Sequence, residues 1–158
     1  MINKLNPSQF SQAQLRIDAD PCRSGTFLQT GGFVRAVSGY GLEIGEKGTY
    51  TQTGGTLQVT AENNFHVDGI YNLSGEAQAQ FSWLSVSQGG VVNQRGGDLW
   101  AEHVGAMAGT YKLSGGIFYA EIYVSPTADT SVFNQTGGTA LPYRLYSFSR
   151  VPNLHPHA

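Results

Sequence analysis

Charge and sulfur are what this chain has least of. Only 13% of its 158 residues are Asp, Glu, Lys or Arg, and 9 basic against 11 acidic side chains leave a net charge of −2. Such a chain has no basic stripe to follow a phosphate backbone, so nucleic acid is not an expected partner. Cys22 is the single cysteine, which rules out an internal disulfide and any cysteine-based metal site built from this chain alone. Alone near the first repeat, it reads as a small apolar core residue. No apolar run reaches the length of a membrane span, and no membrane insertion is expected. The opening MINKLNPSQFSQ also lacks the apolar h-region of a secretory signal. A phosphate loop, an HExxH motif, a Ser-His-Asp order and a glycine-aspartate calcium repeat are all missing, so neither a cofactor nor a metal is expected.

What is abundant is glycine, 21 residues against six prolines, and it recurs in order. One twelve-residue phrase appears as GTFLQTGGFVRA from Gly25, GTYTQTGGTLQV from Gly48, GIYNLSGEAQAQ from Gly69, GVVNQRGGDLWA from Gly90, GTYKLSGGIFYA from Gly109 and SVFNQTGGTALP from Ser131. Its corner begins at Gly31, Gly54, Gly75, Gly96, Gly115 and Gly137, giving spacings of 23, 21, 21, 19 and 22. A period near 20 residues made of short alternating segments is the mark of a solenoid with one repeat per coil. The alternation has period two, which disfavours helical repeats.

Side chains alternate across a pleated strand, so Phe27, Tyr50, Tyr71, Val92, Tyr111 and Phe133 share one face with Gln29, Gln52, Leu73, Gln94, Leu113 and Gln135. That face is expected to be the interior, with an aromatic stack along the axis and the glutamine amides bonded to one another in a ladder, because an unpaired buried amide is costly. After the glycine corner a second strand would point Val34 and Ala36, Leu57 and Val59, Leu99 and Ala101, Phe118 and Ala120 inward. LEI at 42–44, FHV at 65–67, LSV at 84–86 and IYV at 122–124 suggest a third. The expected fold is all-β: a single-stranded right-handed parallel β-helix, or β-solenoid, of about six coils. Residues 1–24 would form an N-terminal cap or leader, 25–145 the repeats and 146–158 a C-terminal tail. Within SQFSQAQLRI, Phe10, Ala13 and Ile17 have near-helical spacing and could form the cap. His155 and His157 lie in the tail without visible metal partners.

GTYTQTGGTL, GTYKLSGG and FNQTGGT resemble the glycine-rich β-strand repeats of autotransporter passengers and of PEP-CTERM-type bacterial surface proteins. The resemblance covers about 25–145 and implies an extracellular or cell-surface β-helix, with the cytoplasm left open because no export signal, membrane barrel or sorting tail is visible. Rods of this kind serve adhesion, scaffolding and polysaccharide chemistry alike.

Function on a solenoid belongs on its exposed columns, and the altered phrases single out coils four and five. DLWAEH and IFYAEI repeat each other, so Trp100 should stack on Tyr119 and Glu102 on Glu121. Two carboxylates on adjacent rungs repel, whereas glycoside chemistry uses such a pair as acid and nucleophile. Glu102 and Glu121 are therefore the candidate catalytic residues. Asp98, Trp100, Tyr119 and Tyr123 are the candidate sugar-binding residues, because aromatic faces take sugar rings. A plain sheet surface or a subunit interface would account for the same residues, since aromatics pair well across strands. Arg95 and Lys112 are the sparse nearby candidates for lyase chemistry. A threonine array of the ice-binding kind, begun by Thr49, Thr51 and Thr53, is roughened by the same two side chains.

Coil three breaks the rule differently. SGEAQAQFSWLSV puts Glu76 at the second corner glycine and Gln78 and Gln80 where other coils are apolar. Either a one-residue slip turns Ala77, Ala79 and Phe81 inward, and Trp83 with them, or Gln78 and Gln80 extend the internal amide ladder; the slip is preferred because it buries Phe81 at no polar cost. His66 is expected outward on the third strand and His103 at a corner after Glu102, each solvated. The leading expectation for function is a surface module that engages polysaccharide through the aromatic and acidic face of coils four and five. A small polysaccharide-degrading enzyme using Glu102 and Glu121 is the alternative. A structural rod is the further one, with homo-oligomers formed through the solenoid ends or the aromatic face.

Overall fold

A computed structural model of the protein describes residues 15–17, 24–36, 41–124, 132–142 and 145–146. Phe10, Ala13, Cys22, Tyr143, His155 and His157 lie outside the described residues.

Among the described residues, thirteen strands, all paired in parallel, join in one sheet that winds round three walls. The first wall stacks β2 (Thr26–Gln29), β5 (Thr49–Gln52), β7 (Ile70–Leu73), the start of β9 (Val91–Met107), the start of β10 (Thr110–Val124) and β11 (Val132–Gln135). The second stacks β3 (Phe33–Ala36), the start of β6 (Thr56–Val67), the start of β8 (Gln78–Val86), 98–101 of β9, 117–120 of β10 and β12 (Thr139–Pro142). The third takes β1 (Leu15–Ile17), β4 (Leu42–Ile44), the ends of β6, β8, β9 and β10, and β13 (Leu145–Tyr146). The protein is thus a β-solenoid of about five turns. This is one fewer than the six coils expected, because six rungs on a wall are separated by five intervals.

Two expectations about the third wall change. Ile17 sits in a strand beside Ile44, so the helical spacing of Phe10, Ala13 and Ile17 does not end in a helix there. A rung on an existing sheet edge satisfies backbone donors that a lone turn would leave open. The IYV segment is displaced by one residue from its expected alignment: Tyr123, not Ile122, lies beside Val104, which lies beside Leu84.

The interior is filled from all three walls. Tyr50, Tyr71, Val92, Tyr111, Leu73 and Leu113 of the first wall, Leu57, Val59, Leu99, Ala101, Phe118 and Ala120 of the second, and Leu42, Ile44, Phe65, Val67, Leu84 and Val86 of the third are buried. Several of the aromatics meet edge to face, Phe27 with Tyr50 at 4.9 Å and Tyr50 with Tyr71 at 5.5 Å between centroids, an arrangement that ring quadrupoles favour.

The buried glutamines are satisfied in a way the repeat alone did not reveal. Their amides do not bond one another. Gln52 Nε2 donates to the Gly55 carbonyl at 3.1 Å and to the Gln78 carbonyl at 3.0 Å, while its Oε1 accepts the Tyr71 hydroxyl of the next coil at 2.7 Å. Gln29 and Gln94 repeat the pattern with Tyr50 and Tyr111. Each glutamine therefore calls for a tyrosine one coil later. Where the glutamine becomes Leu73, the next coil has Val92, and where it becomes Leu113 the next has Phe133. No buried hydroxyl is left without an acceptor at any of these five steps.

Corners are tight because successive coils pass one above another. Gly32 and Gly55 have φ of 72° and 73°, in the left-handed region where a Cβ is strained. A Cβ on Gly55 would also lie 2.4 Å from the Gly32 carbonyl oxygen, whereas one on Gly32 meets nothing within 4 Å. Coil three has only one corner glycine and manages because Gly75 itself takes the positive φ of 64°, leaving Glu76 exposed. An extra residue, the buried Ala77, follows. The slip expected from the sequence is present, with Gln78 beside Thr56 and Ala79 beside Leu57. Trp83 does not follow it inward. Phe81 and Ser82 are buried in succession, so the alternation resets at the bend and Trp83 emerges 40% exposed.

Three measurements check this account. In a double-mutant cycle by denaturant unfolding, Tyr71→Phe strands the Gln52 Oε1 and should cost about 1–3 kcal/mol. Gln52→Leu should cost a similar amount by stranding the hydroxyl, and the double variant less than the sum. Gly32→Ala should cost about 1–2 kcal/mol for its φ alone, while Gly55→Ala, which adds the clash, should exceed about 4 kcal/mol. Burial pushes the Tyr50 and Tyr71 hydroxyls up, Tyr71 further through the neighbouring Tyr50 and Tyr111. The folded state holds these protons more tightly than an unfolded chain titrating near pH 10. Stability should then be intact below about pH 10 and fall above it by about 1.4 kcal/mol per pH unit for each group, phenolate absorbance rising together with unfolding.

Candidate functional site

The second wall has its inward positions filled with Leu, Val, Ala and Phe, so its alternate residues must face solvent. Because pairing is in register, those residues line up. One column runs through Arg35, Gln58, Gln80, Trp100, Tyr119 and Leu141. Beside it runs Phe33, Thr56, Gln78, Asp98, Ile117 and Thr139. On the other flank lie Glu102 and Glu121, brought together because Ala120 stands beside Ala101 and Ile122 beside His103.

Asp98, Trp100, Glu102, Tyr119 and Glu121 thus share one wall on consecutive rungs. Trp100 is 44% exposed and meets Tyr119 edge-on, at 5.8 Å and 68°. The expected stack is a T-shaped pair, a geometry that leaves ring face open to solvent. Asp98, Glu102 and Glu121 are all exposed. Tyr123 departs from this group. It lies past the corner, on the third wall, in register with Val104 and Leu145, because the chain turns after Glu121 instead of continuing the second wall.

The wall is hollowed on the N-terminal side of Trp100. A depression of about 130 Å³ is lined by Gln58, Thr60, Gln80, Phe81, Ser82, Trp100 and Glu102. It arises because coils two and three put Thr60 and Ser82 where coils four and five put glutamate. It is smaller than the roughly 300–1,000 Å³ of an enclosed small-molecule pocket. Gln58 Nε2 donates to Gln80 Oε1 across its floor at 3.2 Å. The amide ladder expected inside the solenoid is thus found outside it. Gln80 Nε2 and Gln58 Oε1 stay available on this wall. Gln58 and Thr60 were legible as outward residues but carried no chemical signature, and Gln80 joined them only through the slip.

Arg95 and Lys112 stand exposed on the first corner and first wall, away from the glutamates, so they do not complete a lyase site with them. Lys112 sits between Asn93 and Asn134 and interrupts the Thr51, Asn72 and Asn93 side-chain ladder. On the third wall, His103 stacks on Trp83 at 4.4 Å and 26°. His66 Nε2 contacts Ser87 Oγ at 2.9 Å and Asp68 Oδ1 at 3.0 Å. Neither histidine is merely solvated. Ser87, His66 and Asp68 meet without forming a relay, because serine and carboxylate share one ring nitrogen where a triad needs opposite ones. Among the described residues, no group of three or more His, Cys, Asp or Glu is placed to hold a metal ion.

The fold defines the class: a parallel β-solenoid with an aromatic and acidic wall. Comparison with known protein families, characterised proteins and solved structures finds no match to this chain.

Proposed function

We propose that this solenoid is an extracellular or cell-surface module that engages polysaccharide through its second wall. The observation that carries this reading is the column Gln58, Gln80, Trp100 and Tyr119, in which hydrogen-bonding amides pass along a shallow open depression to an exposed indole and, on the next rung, a half-buried phenol ring. Sugars offer both apolar C–H faces and hydroxyls, and such a column meets both. An open surface suits a polymer, which has no end to insert into a pocket. The resemblance to surface β-helices supports the compartment.

A hydrolase using Glu102 and Glu121 is the second reading, favoured by their adjacency at about the rung spacing of 4.8 Å, close to what a retaining pair requires. The openness of the wall favours binding over turnover, since nothing there excludes water from a reacting bond. End-to-end rods are disfavoured by the interior pairing rule. Gln135 on the last rung calls for a tyrosine, and the first rung offers Phe27.

Binding to insoluble glucans, xylans, uronans and amino-glycans, measured by depletion from solution, should find at least one that retains the protein. Trp100→Ala should weaken that binding about tenfold while the protein stays folded, at a cost of about 1 kcal/mol in stability for the lost pair with Tyr119. Retention by none of them overturns the proposal. Reducing ends released by the protein but not by Glu102→Gln or Glu121→Gln would establish the hydrolase instead.

A further inference from the structure

We infer that the second wall takes an amino-bearing glycan lying parallel to the solenoid axis, about one sugar per rung, with its ammonium groups against Asp98, Glu102 and Glu121. This rests on the polysaccharide reading above and specifies its ligand.

Direction follows from the column. Across the wall, outward positions alternate with buried ones, and corners end the surface after a few residues. Along the axis, Gln58, Gln80, Trp100 and Tyr119 succeed one another without interruption on four rungs, and the depression extends the same way, from Gln58 to Trp100. Three intervals of about 4.8 Å make this line about 14 Å long. An extended chain of pyranose rings advances by about one ring length per residue, close to that interval, so a single periodic contact can repeat. The first sugars would lie over Gln58 and Gln80 in the hollow left by Thr60 and Ser82. The next would lie on Trp100 and Tyr119.

Charge selects the polymer. Asp98 flanks the aromatic pair on one side and Glu102 and Glu121 on the other, all exposed. Three carboxylates on this face compare with a net charge of −2 for the whole chain, and no Lys or Arg stands among the outward residues of coils two to five on this wall, Thr56 to Thr60, Gln78 to Ser82, Asp98 to Glu102 and Ile117 to Glu121. A uronan would meet like charge on the rungs of coils four and five. A neutral glycan would leave two adjacent glutamates repelling each other with no compensation. An ammonium on each sugar relieves that repulsion and also suits an indole face, which attracts cations.

The test measures binding of the full chain to glucosamine oligomers of about two to six units, and to the N-acetylated oligomers of the same lengths, at about pH 6. Glucosamine oligomers should bind more tightly than their acetylated counterparts, gain affinity up to about four units as the line of rungs is filled, and weaken with added salt. Glu102→Gln and Glu121→Gln should each lower that affinity about two- to fivefold, the range of an exposed ion pair, without changing the acetylated series. Equal binding of the acetylated oligomers, indifferent to both substitutions, overturns the charge inference and leaves the polysaccharide reading intact. Gain in affinity that stops at two units overturns the axial placement. Binding of neither series, nor of any neutral glycan, to a protein with its native far-ultraviolet spectrum overturns both.

Discussion

Everything in this molecule follows from parallel, in-register stacking at one strand spacing. Among the described residues there is no helix to pack against, and within the stack each side chain has its counterpart one coil above and one below, which decides its fate. The backbone is paired from coil to coil along the walls, and the three inner faces supply one another's burial. A residue is therefore acceptable only if its column accepts it.

The Tyr–Gln hand-over is the sharpest consequence. A tyrosine hydroxyl buried among Phe, Leu and Val is costly unless accepted, and here the amide one coil back accepts it. That amide in turn holds the carbonyls of the next corner. One pair thus joins the first wall, the turn and the second wall across two coils. Where the pair is absent, both members become apolar together, as in Leu73 with Val92 and Leu113 with Phe133. The interior is in this sense a string of local decisions, each taken between adjacent coils. The corner glycines obey the same logic: Gly55 is confined by the corner beneath it, and Gly32, with open space, only by its own φ.

The outside of the walls is governed by the same register with opposite effect. Stacking that buries identical residues inside also lines up whatever lies outside, so a change in two consecutive coils becomes a continuous surface feature. DLWAEH between SGEAQAQF and IFYAEI would mean little in a loop; on this wall it sets an indole at the head of a hollow lined by amides and places glutamates on adjacent rungs. A linear polymer with a repeat near the rung spacing is the natural complement of such a surface.

The sequence by itself determined the solenoid, the three strands per coil and the inward columns of the first and second walls, because period-two alternation and a glycine corner every 20 or so residues bury the apolar set in this way; at coil three it favoured the slip at Ala77, and the stacked register decided it. It also placed Asp98, Trp100, Glu102, Tyr119 and Glu121 on one wall. The closed interior decided where amide partners lie, which turned the expected glutamine ladder into Tyr–Gln pairs. Corner geometry decided the rest: Ser82 is buried next to Phe81, so Trp83 turns outward, and the chain bends after Glu121, so Tyr123 leaves the wall. Alternation is a property of a straight strand and is legible from residues alone. Bends and cross-coil hydrogen bonds depend on which coil lies beneath, and only the stacked structure supplies that neighbour.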